Sequence, residues 1–201
     1  MQYPLLRLDR KALRDAVERL YDSGGMGAEE VADFLAEGFR RELLEEASHA
    51  KFRSERTRYG SGVETNYEIC PSANELKKAR FLRDAYRDAL FDSLEGFLPF
   101  IPFNSIEMVR YRPGGYITSH RDSRAHYLIS LFPLQGEDPL SVSRERGGQG
   151  IELLSIPGSL VLLRAPRPGE GEVRPFHSVG PVRSERYVIG LRQTRISLAL
   201  D

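Results

Sequence analysis

At 201 residues, 40% hydrophobic and 29% charged, the chain can bury a substantial core within one domain spanning 1–201. Twenty-nine basic residues balance twenty-nine acidic ones, so no overall field draws it to nucleic acid or a membrane surface. The single cysteine, Cys70, excludes an internal disulfide and a thiolate metal cluster. Together with an N-terminus charged too early for a signal peptide and no apolar run of membrane length, it predicts a cytoplasmic protein.

In chain order, residues 9–47 read as helical. Asp9 is placed to cap a segment with Leu13, Ala16, Val17 and Leu20 at helical spacing. After a Gly-rich break at 22–27, Val31, Phe34, Leu35, Phe39 and Leu43 share one face of a second helix. Residues 51–62 carry Lys51, Arg53, Arg56 and Arg58 against the lone acid Glu55 and close in Gly and Ser, which predicts a mobile, basic loop. A short strand follows at 66–70. Pro71, Ser72 and Asn74 then introduce a long helix from about Glu75 to Leu98. Residues 1–98 thus form a helical extension with a candidate substrate lid.

Past Pro99 the texture changes to short alternating or apolar runs punctuated by Gly and Pro. Strands are expected near 104–111, 115–119, 126–133, 139–144, 150–154, 159–164, 174–179 and 185–195, the pattern of a sandwich or barrel over 99–201. The fold class is α+β, with helices first and an all-β half after them.

His120, Asp122 and His177 are the candidate metal ligands. Residues two apart on extended chain project from one face, so His120 and Asp122 can grip one ion, and His177 arrives from a distant strand. Two histidines and a carboxylate form the facial set that holds non-haem Fe(II) and leaves open positions. Taken alone, His-x-Asp followed by a later His is a pattern that chance satisfies easily.

The flanking residues add weight. Phe103-Asn104 and Arg110-Tyr111-Arg112-Pro113-Gly114 lead into His120-Arg121-Asp122, Gly158-Ser159-Leu160 precedes His177-Ser178-Val179, and a strand with Arg186 and Arg192 ends the set. Over roughly 100–195 this resembles the AlkB-like branch of the Fe(II)/2-oxoglutarate dioxygenases. The resemblance implies a double-stranded β-helix (a jelly-roll, cupin-like barrel) buttressed by the N-terminal helices. It also implies Fe(II), 2-oxoglutarate and O₂ as cofactor and co-substrates, with iron on His120, Asp122 and His177. Arg186 would bind the distal carboxylate of 2-oxoglutarate, Arg192 would lie near the carboxylate that chelates iron, and Tyr111 would add a phenol hydrogen bond. A dicarboxylate needs cationic, preferably bidentate partners, and the even spacing of Arg186 and Arg192 puts both on one strand face. The implied reaction is oxidation of a substrate C–H coupled to decarboxylation of 2-oxoglutarate to succinate.

The chain departs from that pattern in places. Val109 and Val188 stand where the family usually has Asn, and Ser123-Arg124 replaces the acidic residue with which repair enzymes read a damaged base. Two substrate classes therefore stay open: an alkylated nucleobase in nucleic acid or a nucleotide, and a small metabolite or amino-acid side chain. Arg56, Arg58 and Tyr59, where repair enzymes place a nucleotide-recognition lid, and Arg124 are the candidate substrate contacts. A cupin-like binding module without turnover is the non-enzymatic alternative. His126 reads as a local packing or solvent-facing residue, His49 as a charge partner for a helix end, and Cys70 as a buried small hydrophobe.

Overall fold

The computed structural model describes residues 5–7, 9–22, 24–94, 103–165 and 171–194. Helix α1 (Arg10–Leu20) starts where the sequence predicts. The Asp9 carboxylate accepts hydrogen bonds from the Lys11 and Ala12 backbone N–H groups, and Leu13, Ala16, Val17 and Leu20 are buried along one face. The next segment corrects the expectation. Ala28–Val31 is a strand, β1, paired antiparallel with residues 160–163, and helix α2 begins only at Glu37 and ends at His49. Val31, Phe34 and Leu35 fit a helical period, but pairing with a distant strand edge satisfies the backbone better, and tertiary context overrides the local pattern. Phe34 and Leu35 still reach the core from the β1–α2 connection.

The basic segment also holds more structure than a loop. Arg53–Glu55 forms β2, which pairs with β3 (Thr65–Ile69). A 3₁₀ turn at Ala73–Glu75 precedes α3 (Lys77–Ser93), and the expected extension of that helix to Leu98 lies outside the described residues. Cys70 is buried.

The remaining strands fall within two residues of their expected bounds: β4 (Phe103–Tyr111), β5 (Tyr116–His120), β6 (His126–Gln135), β7 (Leu140–Ser143), β8 (Gly150–Leu153), β9 (Leu160–Arg164), β10 (Phe176–Val179) and β11 (Arg186–Thr194). The strand order is β1-β9-β6-β11-β4-β3-β5-β10-β7-β8, with every pairing antiparallel. β3 joins the two halves, because Glu68 and Ile69 pair with β4 while Thr65 and Asn66 pair with β5. The result is a nearly closed double-stranded β-helix with the helices packed on one side.

Alternation along the strands builds two cores. On the outer face of the larger sheet, Met108, Leu128, Phe132, Leu134, Leu160, Leu162, Ile189 and Leu191 meet the helices. Tyr86 of α3 is wedged there at 5.1 Å from Phe132 and 5.7 Å from Phe34, ring edge to ring face, and its hydroxyl is 3.0 Å from Ser130 Oγ. The inner face carries Tyr111, Ile129, Leu140, Val142, Val161, Leu163 and Val179, and it surrounds the site.

Candidate active site

His120 ends β5 and His177 lies on β10, and the two are direct cross-strand partners. Their rings are 4.2 Å apart, and Asp122, two residues on, brings His177 Nε2 to 3.3 Å from its Oδ2. One donor atom from each of the three residues lies within 4.8 Å of the other two. Two ligands each about 2.1 Å from one octahedral ion sit about 3 Å apart, so the trio is close enough to converge on one ion with a small inward adjustment of its side chains. Thr118 O accepts a hydrogen bond from His120 Nδ1 at 3.0 Å, which fixes the tautomer and leaves Nε2 as the electron-pair donor. Burial, helped by the neighbouring His177, lowers the His120 pKa to about 4, so its imidazole is neutral and ligand-ready at pH 7. Burial opposes ionisation of Asp122, but the His177 hydrogen bond and the charges of His177 and Arg192 outweigh it and hold its carboxyl well below the usual range.

Beneath the trio is a cavity of about 320 Å³ inside the barrel. Residues 186, 188 and 192 of β11 and 107, 109 and 111 of β4 line it, as even spacing on a strand requires. Arg186 pairs across the ladder with Tyr111. Its side chain is almost wholly buried, 1% exposed, and donates from Nη2 to Ser155 Oγ at 2.6 Å, while Nε and Nη1 have no hydrogen-bond partner. Burial pulls the Arg186 pKa down, but a guanidinium keeps its charge in proteins. Burial likewise raises Tyr111 to about 12, so its phenol keeps its proton and remains a donor. A cationic fork with two unmet N–H donors beside a phenol O–H suits a carboxylate.

Arg192 is differently placed. Nη1 meets the Glu107 carboxylate and Nη2 is 3.5 Å from Asp122 Oδ1. Burial alone would lower its pKa, but the Glu107 and Asp122 charges raise it. It therefore braces the carboxylate of the candidate metal trio at the near end of the cavity. Val109 and Val188, the residues standing where Asn was expected, form an apolar waist between the two arginines.

Among the candidate substrate contacts, Tyr59 is 45% exposed, lines the cavity mouth and donates from its hydroxyl to Glu55 at 3.0 Å. Arg56 reaches Asn66 at 3.1 Å, Arg58 faces Glu64 at 3.3 Å, and Arg124 pairs with Glu172 at 3.0 Å; none of the three lines the cavity. Ser61 and Val63 join Tyr59 in the wall, and Arg146 Nη1 donates to Ser61 O at 2.7 Å, tying the loop to the β7–β8 turn.

Sequence reasoning missed Glu107, Ser155 and Arg121. Glu107 could have been found, since it shares the Tyr111 face at an even offset. Ser155 sits in a connection at φ +52° and carries no periodic signal. Gly136, also left-handed at φ +89°, packs so closely on Arg186 that an added Cβ would lie 2.8 Å from the Arg186 Cβ.

No family model and no curated protein matches this sequence. Solved structures do. A prolyl hydroxylase from Trichoplax adhaerens, in complex with a hypoxia-inducible factor oxygen-degradation-domain peptide, superposes with a TM-score of 0.66 at 17% identity, over 92% of this chain and 91% of that one. A Pseudomonas putida prolyl-4-hydroxylase gives 0.64 at 18% identity, over 92% and 100%. A Burkholderia pseudomallei oxidoreductase of the 2OG-Fe(II) oxygenase family gives 0.64 at 12%, over 97% of each chain. The fold is theirs. These likenesses span both the helices and the barrel, so the N-terminal third belongs to the same architecture.

Proposed function

We propose that this chain is an Fe(II)- and 2-oxoglutarate-dependent dioxygenase that hydroxylates an aliphatic C–H of an amino-acid side chain in a peptide. The observation that carries the reading is the pairing of His120, Asp122 and His177 with a buried Arg186 that keeps two unmet N–H donors in the same cavity. Stability alone gives little reason to bury an unpaired guanidinium. A dicarboxylate co-substrate gives one. When bound, iron supplies O₂ activation coupled to oxidative decarboxylation of 2-oxoglutarate.

The chain supplies placement. His120, held by Thr118 O, and Asp122, braced by Arg192, present donors to the ion. Arg186 and Tyr111 orient the distal carboxylate, and Val109, Val188 and Leu131 keep the middle of the cavity dry. The peptide substrate is favoured by the likeness to prolyl hydroxylases across nearly the whole chain and by the absence of an acidic base-reader at 123–124.

An AlkB-like nucleobase reading draws on Tyr59, an exposed aromatic at the mouth suited to base stacking. Against it, Arg56, Arg58 and Arg124 are occupied by protein partners. The test is succinate release from 2-oxoglutarate with Fe(II) and ascorbate. Wild type should turn over slowly without substrate and faster with peptide, and His120→Ala should fall to background. Turnover persisting in His120→Ala would overturn the metal assignment. Stimulation by methylated single-stranded DNA alone, with binding that weakens steeply in salt, would move the substrate to nucleic acid.

A further inference from the structure

The β2–β3 hairpin ends in a tightly built tip. The Tyr59 N–H donates to Val63 O and the Gly62 N–H to Tyr59 O, both at 2.8 Å, and Gly62 takes φ +79°. A three-residue loop closed this way, with glycine left-handed at its last position, is a form that short hairpins favour. Below the tip, the Thr65 N–H donates to Thr57 O at 2.9 Å and the Tyr59 hydroxyl donates to Glu55 at 3.0 Å. The hairpin is therefore stiff along its length, and what it touches decides where it points.

Its base sits on β5: the Glu64 N–H donates to Thr118 Oγ1 at 2.8 Å, and the Thr118 N–H donates to Glu64 O at 3.0 Å. Its tip meets the β7–β8 turn, where Arg146 Nη1 donates to Ser61 O at 2.7 Å. In the strand order β3-β5-β10-β7, the two strands between base and anchor are those that carry His120 and His177. At about 4.8 Å per strand the hairpin reaches roughly 14 Å across the candidate metal trio. Tyr59, Ser61 and Val63, at alternate positions, all line the cavity.

The anchor is ordered as well. Ser143 Oγ donates to Glu145 O at 2.7 Å and the Gly148 N–H to the same carbonyl at 3.1 Å. The Arg146 guanidinium lies 5.7 Å from the ring of Phe176, the residue before His177. A carbonyl on one side and an aromatic ring on the other fix a guanidinium in direction. An added Cβ at Gly62 would lie 3.4 Å from Arg146 Nη1, so glycine at the tip also leaves room for the contact.

We propose that Arg146 is a positioning residue for the reaction: it pins the hairpin across the mouth, sets Tyr59 against the substrate and keeps water from the candidate metal trio. This rests on the dioxygenase reading for the reaction but not for the pin. Two measurements on the full chain separate them. The first follows hydrogen exchange at the backbone amides of 59–63 by mass spectrometry, which needs neither metal nor turnover. Arg146→Gln should speed exchange about three- to tenfold, the worth of one lost hydrogen bond. Arg146→Lys should restore most of the protection, and Arg41→Gln, an exposed arginine on α2 paired with Glu37, should match wild type. The second counts 2-oxoglutarate consumed and hydroxylated peptide formed. Arg146→Gln should raise the peptide KM about three- to tenfold and the fraction of 2-oxoglutarate consumed without product. The KM for 2-oxoglutarate should stay within about twofold, because Arg186 and Tyr111 lie away from the pinned mouth. Arg146→Lys should lie near wild type in each.

Equal exchange in wild type and Arg146→Gln would overturn the pin. Faster exchange with peptide KM and coupling both unchanged would reduce it to a surface contact and sink the positioning role. A parallel rise in both KM values would do the same, since it marks a loosened barrel rather than an opened mouth. Faster exchange in the variant, with no succinate from any substrate in wild type, would leave the pin in the fold and overturn the dioxygenase reading together with the role of Arg146 in it.

Discussion

The same four strands, β4, β6, β9 and β11, carry two faces that obey different rules. Toward the helices they present Met108, Phe132, Leu162 and Ile189, all fully buried and apolar. Toward the barrel interior they present Glu107, Tyr111, Arg186 and Arg192 beside valines. The outer face is settled by packing, and each methyl there has partners on every side. The inner face keeps donors unmet, and an unmet buried donor costs about 1–3 kcal/mol. One face makes the molecule stable, and the other spends some of that stability on being ready for ligands.

The contrast is open to direct attack. Phe132→Ala should have the largest effect, a loss of roughly 3–5 kcal/mol from transfer and cavity terms together. Urea unfolding would measure it, and a loss under about 1 kcal/mol would mean that the outer face is not the stabilising one. Arg186→Met should behave in the opposite way. Stability should hold within about 1 kcal/mol or rise, as when a buried ionic group gives way to a hydrophobe of similar volume. The 2-oxoglutarate KM should climb roughly ten- to a hundredfold, the worth of one or two lost charge-assisted hydrogen bonds. A strongly destabilised Arg186→Met with an unaltered KM would make Arg186 structural.

The smallest effect concerns the rim. The hydrogen bond from Arg174, then that from Arg124, holds Glu172 at about 2, below the usual 4.5. The unfolded chain takes up this proton first on acidification, so the contribution is complete above about pH 4.5 and lost as pH falls toward 2. Glu172→Gln should therefore cost under about 1 kcal/mol at pH 7, screened by solvent and salt, and nothing near pH 2. Parallel stability–pH curves for the two proteins would show that the clamp contributes nothing.

How much was legible in the sequence follows the same division. The barrel strands could be read because period-two alternation is a local signal, and the even offset of Arg186 and Arg192 puts them on one face by counting alone. β1 could not, because Ala28-Glu29-Glu30-Val31 has weak strand propensity and takes its form from the edge of β9. β2, an Arg-Ser-Glu tripeptide, has no pattern and depends on β3 for its ladder. In the site, the candidate ligand trio stood out through its spacing taken together with the flanking residues that carry the family resemblance. Arg121 did not, since a motif written His-x-Asp treats it as a spacer, although in the fold it lines the cavity beside His120 and Asp122.

One turn residue makes the inner face heritable in an unusual way. Gly136 closes the end of β6 with its α-carbon against Arg186, fifty residues later, and leaves no room for a side chain. A single methyl at 136 would act as a wedge under the arginine and swing its fork away from Tyr111. Chains that keep the arginine should thus keep the glycine, and those that lose one should be released from the other. The pair is a two-letter signature for the Arg186 end of this cavity, written across a distance that no motif spans.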